Sequence, residues 1–320
     1  MIIRFVSLVL AALALPAGAA AQNFPARPVT IISNAGAGTS PDVIARVIAE
    51  RLSQIWGQQV VVVNRPSGGG IIATRSAATA APDGHTLYMA ATSVFTLSPE
   101  EEAKAGLDLD RDFTKIGLVN EQPLIFSAAA KLGINTLLEL IALAKAKPGD
   151  VLYAGNTRGS LPHLATELLS SRTGIQMTFV PYPAIPPALH DMMGGRIGMI
   201  VQSLSSLAGA IDGGAIKPLA VASQKRLAQL PKVPTVAETV PGFEALGWFV
   251  LMAPAKTPDA IVGKVRADLR TVVDQSEVVQ RFAALGGYTR HLSPAELDAF
   301  VTRERQLWRS VVKQVGVTAQ

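Results

Sequence analysis

The sequence predicts an α/β fold of two lobes, with mostly parallel sheets flanked by helices. Three observations carry that expectation. Short runs of β-branched and other apolar residues alternate with helical stripes through most of the chain. Two glycine-bearing loops of the same design each join a strand to a helix. A length of 320 residues, without a repeat or a flexible linker, suits two lobes between which the chain crosses more than once.

The elements follow in order. Val29 to Ile32 reads as a buried strand, and Pro41 to Trp56 as a helix, with Val43, Ile44, Val47, Ile48, Leu52 and Ile55 on one stripe. Val60 to Val63 places four β-branched residues in a row, which suits a strand covered on both faces. A turn at Asn64 to Gly70 leads into a helix from Ile71. Pro82-Asp83-Gly84 marks a turn before a strand at Leu87 to Ala91. Further strands are predicted at Leu124 to Ala128, Val151 to Ala154, Met177 to Val180, Ile197 to Val201 and Leu219 to Ala222. Helices fall near Thr136 to Lys147, His163 to Thr173 and Pro187 to Met193. After Thr257 the pattern is helical almost to the end.

The first twenty-two residues have the layout of a secretory signal peptide: Arg4, an apolar run from Phe5 to Leu15, Pro16, then small residues to Ala21. Cleavage is expected between Ala21 and Gln22, leaving a soluble, exported chain; the alternative is an N-terminal membrane anchor. With no cysteine in the chain, disulfides, a lipid-anchored cysteine and thiolate chemistry are excluded.

A hydrophobic content of 49% against 17% charged residues implies a folded core. The net charge is +5, but the basic residues are scattered, which argues against nucleic acid as partner and suits a small anionic ligand. Aromatic content of 5% argues against a surface for stacking sugars or bases.

The chemistry concentrates in the two loops. Asn34-Ala35-Gly36-Ala37-Gly38-Thr39-Ser40-Pro41-Asp42 links the first strand to the first helix, with Ser40 as the expected N-cap and Pro41 in the first turn. Free N–H groups at such a turn attract anions, although the same residues serve an ordinary capped turn. It is neither a dinucleotide fingerprint, since Pro41 stands where a third glycine belongs, nor a P-loop. Tyr153 to His163 repeats the design, with Ser160 as N-cap and Pro162 in the first turn. Facing each other across a cleft, the two loops would suit a ligand with two carboxylates. Arg158 reads either as a bidentate carboxylate clamp or as a solvated loop arginine.

Catalytic patterns are missing. The four histidines have no metal-ligand spacing, no G-x-S-x-G elbow occurs, and Ser160 beside His163 is explained by helix capping. Neither an enzyme, a metal site nor a cofactor is expected.

Taken together, the motifs resemble the periplasmic solute-binding proteins of tripartite tricarboxylate transporters, the Bug family. The likeness runs from about Pro28 to the C-terminus. It rests on the glycine loop with Pro41-Asp42 and Ile44-Ala45-Arg46, Val61 to Pro66, Ala81 to Gly84, Ser93-Val94-Phe95, Lys147-Pro148-Gly149, Gly159-Ser160 with His163-Leu164-Ala165, Val180-Pro181-Tyr182, Gly194-Gly195, Val233 to Glu238, Trp248 and Ala253-Pro254.

The resemblance implies a type II flytrap binding small organic carboxylates, with a signal peptide at 1–21, a first lobe of 22–122 plus 222–320 and a second of 123–221. It implies ligand contacts from Ala35, Gly36, Ala37, Gly38, Thr39, Ser40 and Asp42, from Thr92 and Ser93, from Asn156, Thr157, Arg158, Gly159, Ser160 and His163, and from Tyr182, Pro183, Ala184 and Gln202. The implied protein is a monomer serving membrane transporter subunits, or alternatively a ligand-presenting sensor for a receptor; a secreted hydrolase using Ser160 or Ser40 is a third reading.

The chain departs from the family pattern in several places. Thr157-Arg158 replaces smaller residues, Pro183-Ala184 replaces a basic residue plus glycine, and Gln202 and Gly198 stand where Asp is common. An added arginine and a lost acid favour carboxylates without an ammonium group.

Overall fold

The computed structural model describes residues 24–66, 70–155, 158–182 and 184–316. The signal segment with its cleavage point, and Asn156, Thr157 and Pro183, lie outside the described residues.

Strand β1 (Val29–Ser33) lies between β2 (Val60–Asn64) and β3 (Thr86–Ala91), parallel to both, with Ile31 opposite Val62 and Leu87. Helix α1 (Ser40–Trp56) joins β1 to β2. It buries Ile44, Val47, Ile48 and Leu52, spaced to fall on one helical face, against Ile31 and Leu87. The helix ends at Gly57, whose φ of 60° is the left-handed conformation that glycine adopts without strain. On the other side of β3 runs β9 (Leu246–Pro254), antiparallel. Phe249 and Leu251 pack beneath α1 and α10 (Asp259–Val273), while Trp248, Val250 and Met252 pack on the opposite face. Burial on both faces explains why the β9 sequence is apolar throughout.

Next to β9 lies β4 (Phe113–Ala129), a 17-residue strand that belongs to two sheets. From Phe113 to Pro123 it pairs antiparallel with β9. From Leu124 onward it pairs with β7 (Met199–Ser203) on one edge and β8 (Ile216–Val221) on the other. The partners change at Pro123, a residue with no N–H to offer a ladder. Beyond it, Leu124 N–H donates to the Ala245 carbonyl at 3.3 Å, Ala222 N–H to the Leu124 carbonyl at 2.8 Å, and Ala245 N–H to the Ala222 carbonyl at 2.9 Å. The second sheet continues with β5 (Leu152–Gly155) and β6 (Thr178–Pro181), where β5 is parallel to both β7 and β6. The α/β expectation holds, but the sheet is mixed: β4, β8 and β9 supply its antiparallel pairs, and the strands at 113–123 and 246–254 are not among those the sequence predicts.

Around the second sheet pack α6 (Leu137–Ala146), α7 (Leu161–Thr173), α8 (Ile185–Gly194) and α9 (Leu204–Asp212). Val236, Val240, Phe243 and Ala245, placed with the first lobe by the sequence division, share the core of this second sheet. The last helix, α12 (Pro294–Val315), serves both cores, Leu297, Phe300 and Val301 in one, Trp308 and Val311 in the other. Between them Glu304, 6% exposed, accepts from the indole N–H groups of Trp248 and Trp308, each at 3.2 Å. Burial raises the pKa of that carboxyl, and the two indole bonds oppose the shift without reversing it.

After α11 (Ser276–Ala284) the chain turns at Gly286 (φ 75°), against the first residue of α9. A Cβ there would lie 2.5 Å from Leu204 Cβ. Gly286→Ala is therefore expected to lower stability by about 2–4 kcal/mol, the sum of a left-handed penalty and an overpacked contact, read as a lower midpoint in denaturant unfolding.

Candidate functional site

The β1–α1 loop is held by its own polar groups. Thr39 closes the turn, its N–H and Oγ1 both donating to the Gly36 carbonyl, at 3.3 and 2.6 Å. Asn34 donates to Ser93 Oγ and accepts from Ala91 N–H, each at 3.1 Å, which ties the loop to the end of β3. Asp42, 2% exposed, is the anchor. It accepts from Gly38 N–H at 2.8 Å, Arg46 Nε at 3.0 Å and Asn64 Nδ2 at 2.8 Å. Burial pushes this carboxyl up, but the bonds from Arg46, the Gly38 N–H and Asn64 outweigh it and leave the pKa below the usual range. Asn64 also donates to the Ala35 carbonyl at 3.1 Å. Ala37, Gly38 and Thr39 stay exposed, and Ala35, Gly36 and Ser40 are half-buried.

The N-cap of α1 is Thr39, one residue earlier than expected, with Ser40 and Pro41 in the first turn. Ser40 is thereby released from capping, and its Oγ accepts from Gln122 Nε2 at 2.6 Å. Thr92 has a structural partner: its Oγ1 accepts from Trp248 N–H at 2.6 Å and donates to the Trp248 carbonyl at 3.1 Å.

In the second loop Arg158 is exposed, its guanidinium carbon 5.3 Å from the centre of the Phe179 ring. Ser160 occupies the N-cap position of α7, as expected. His163, 1% exposed, accepts from Gly159 N–H at its Nδ1 (3.2 Å), so its proton sits on Nε2, 3.9 Å from Glu167 Oε1. Burial, helped by the Arg158 charge, pushes its pKa down to about 4. Tyr182 turns its phenol to Asp191 at 2.7 Å, and burial and that bond push it up to about 12. Ala184 is exposed at the start of α8, and Gln202 is buried in β7 opposite Ile125.

The first turns of α1 and α7 both lie at one strand pair. Gln122 of β4 faces Gly247 of β9 in the ladder. The Gln122 side chain reaches Ser40 in the first turn of α1, and a Cβ on Gly247 would lie 3.8 Å from Leu161, the first residue of α7. The first turns of two helices, 17 and 13 residues long, thus each lie against the strand pair where the chain passes between sheets. Among the described residues no group of three His, Asp or Glu side chains is placed to hold a metal ion, and no helix is long and apolar enough to cross a membrane.

Two α/β lobes sharing a strand, with the first turn of one helix from each set against the crossing, define the fold of a two-lobe periplasmic binding protein. The sequence profile of the tripartite tricarboxylate transporter family receptor matches residues 44–317. The chain is 34% identical to protein BugT of Bordetella pertussis, over 98% of this chain and 97% of that one. Among solved structures, an R. palustris protein with adipate superposes with a TM-score of 0.80 at 30% identity, covering 92% of this chain and 99% of that one. MatC of Rhodopseudomonas palustris, with bound malate, gives 0.75 at 29% identity over 90% and 100%. The chain belongs to this receptor family.

His163 gives stability a pH signature. The unfolded chain takes up the imidazole proton near pH 6.5, whereas the folded chain resists it down to about 4. The stabilisation is complete above pH 6.5 and is lost as pH falls through that window, on the order of 3 kcal/mol in all. His163→Asn, which keeps an acceptor for Gly159 N–H without the titration, is expected to flatten that part of the urea-denaturation profile.

Proposed function

We propose that this protein captures a small di- or tricarboxylate in the cleft between its lobes and delivers it, in the closed form, to a membrane transporter. The observation that carries this reading is the convergence of the α1 and α7 N-termini on the Gln122–Gly247 strand pair. One carboxylate would lie at the Gly36 to Ser40 loop, on the Ser40 hydroxyl and the backbone N–H groups that Asp42 and the Gly36 carbonyl do not take, and the other would meet Asn156 to Ser160. Adipate and malate in the two solved relatives support that ligand class.

The protein acts as a monomer in the periplasm, brought there by the signal peptide at 1–21, and it binds without turnover. Against the hydrolase reading, both ring nitrogens of His163 are directed elsewhere, to Gly159 N–H and toward Glu167. Arg158, exposed in the second loop, and the neutral Gln202 favour carboxylates without an ammonium group.

Mature protein, unfolded and refolded to strip any carried ligand, is to be melted against adipate, malate, succinate, citrate, amino acids and sugars. A carboxylate at one hundred times its dissociation constant is expected to stabilise by about 2.7 kcal/mol. A response only to amino acids or sugars would overturn the ligand assignment. Arg158→Ala is expected to weaken dicarboxylate binding by about 1.5–3 kcal/mol in calorimetry, the range for a hydrogen bond to a charged group; unchanged affinity would leave Arg158 a solvated side chain above Phe179.

A further inference from the structure

Gln122 lies 5% exposed in β4, one residue before Pro123, where the strand leaves β9. Its Nε2 approaches two oxygens, Ser40 Oγ at 2.6 Å and the Leu285 carbonyl at 3.4 Å. A carbonyl can only accept, so the Leu285 oxygen fixes which end of the amide faces this way. Toward Ser40 the amide is therefore a donor, and the Ser40 hydroxyl is the acceptor. A hydroxyl has one proton. Because Ser40 accepts from Gln122, that proton is left for a third group, and Ser40 is half-buried in the first turn of α1, directly after the glycine loop.

We infer that Gln122 is a positioning residue for ligand binding: by donating to Ser40 it directs the serine proton at a ligand carboxylate. The inference rests on the carboxylate reading above. A carboxylate can only accept, so a hydroxyl turned outward as a donor fits it, whereas a hydroxyl turned inward presents lone pairs and repels it. Next to Gln122 in β4 stands Glu121, paired with Arg290, with the charges of Glu121, Glu244 and Arg290 acting on Tyr288, and in the first turn of α1 with Ser40 stands Asp42, paired with Arg46.

The test is Gln122→Glu, titrated calorimetrically with adipate, malate and succinate beside wild type between pH 8 and pH 5. At pH 8 the new carboxylate accepts from Ser40 and turns its proton inward, so affinity is expected to fall roughly ten- to hundredfold. As pH falls, the new carboxyl gains a proton and donates again, and the ratio to wild type is expected to narrow. Ser40→Ala is expected to lose a comparable factor, and the double variant no more than either alone, as for two residues acting through one bond. Thermal melting reports whether each variant folds. Should Gln122→Glu fail to fold, Gln122→Met takes its place, with an expected loss of about threefold, independent of pH and absent in the Ser40→Ala background. Unchanged affinity, or a loss that is independent of pH in the glutamate variant and additive with Ser40→Ala, would overturn the inference while leaving the carboxylate reading intact. Wild type that binds none of the three acids would overturn that reading, and the inference with it.

Discussion

The structure depends on the exchange of backbone partners along β4. Up to Pro123 the strand completes one sheet, and from Leu124 it forms the centre of the other. A strand alternates its side chains between two faces, so slipping its register by one residue would invert every one of them. At the crossing, that alternation separates two tasks. Gln122 reaches the α1 loop. Glu121, wholly buried, accepts a two-pronged bond from Arg290 at 2.8 and 2.9 Å. A carboxylate with no access to water requires such a partner, so Arg290 and the chain around Tyr288 are drawn against the strand.

With the crossing fixed, the rest of the site is a matter of which polar groups have partners. Asp42 takes up the Gly38 N–H, Arg46 and Asn64, and Thr92 takes up both polar groups of the Trp248 backbone. These residues shape the loops. The Ala37–Thr39 segment, Ser40 and Arg158 remain open to water beside two helix N-termini. Fixed N–H groups and hydroxyls of this kind present donors without moving a proton. The ring of His163 is packed against Phe179 and Tyr153.

Much of this was legible in the chain. The β-branched run at Val60 to Val63, the stripe of α1 and the two glycine loops were read in place, because they obey local rules of periodicity and sterics. The first half of β4 was not. Asn120, Glu121 and Gln122 put buried polar side chains on both faces of the strand, which no strand pattern matches, and their burial is made tolerable by partners such as Tyr288, Arg290 and Ser40. The N-cap of α1 shifted by one residue for a similar reason. Ser40 and Thr39 are equally suited by type, and the Gln122 amide engages the former.

The sequence by itself determined the α/β class, the membership of most strands and helices, and the two loops where anions are favoured. These follow from interactions between residues a few positions apart. Tertiary structure alone decided that β9 inserts between β3 and β4, that α12 serves both cores, and that Gln122, 82 residues from Ser40, bonds to the first turn of α1. The physical reason is that a buried amide or carboxylate must find a partner wherever the chain brings one, and that position in space is set by the sum of all the packing and by no local pattern.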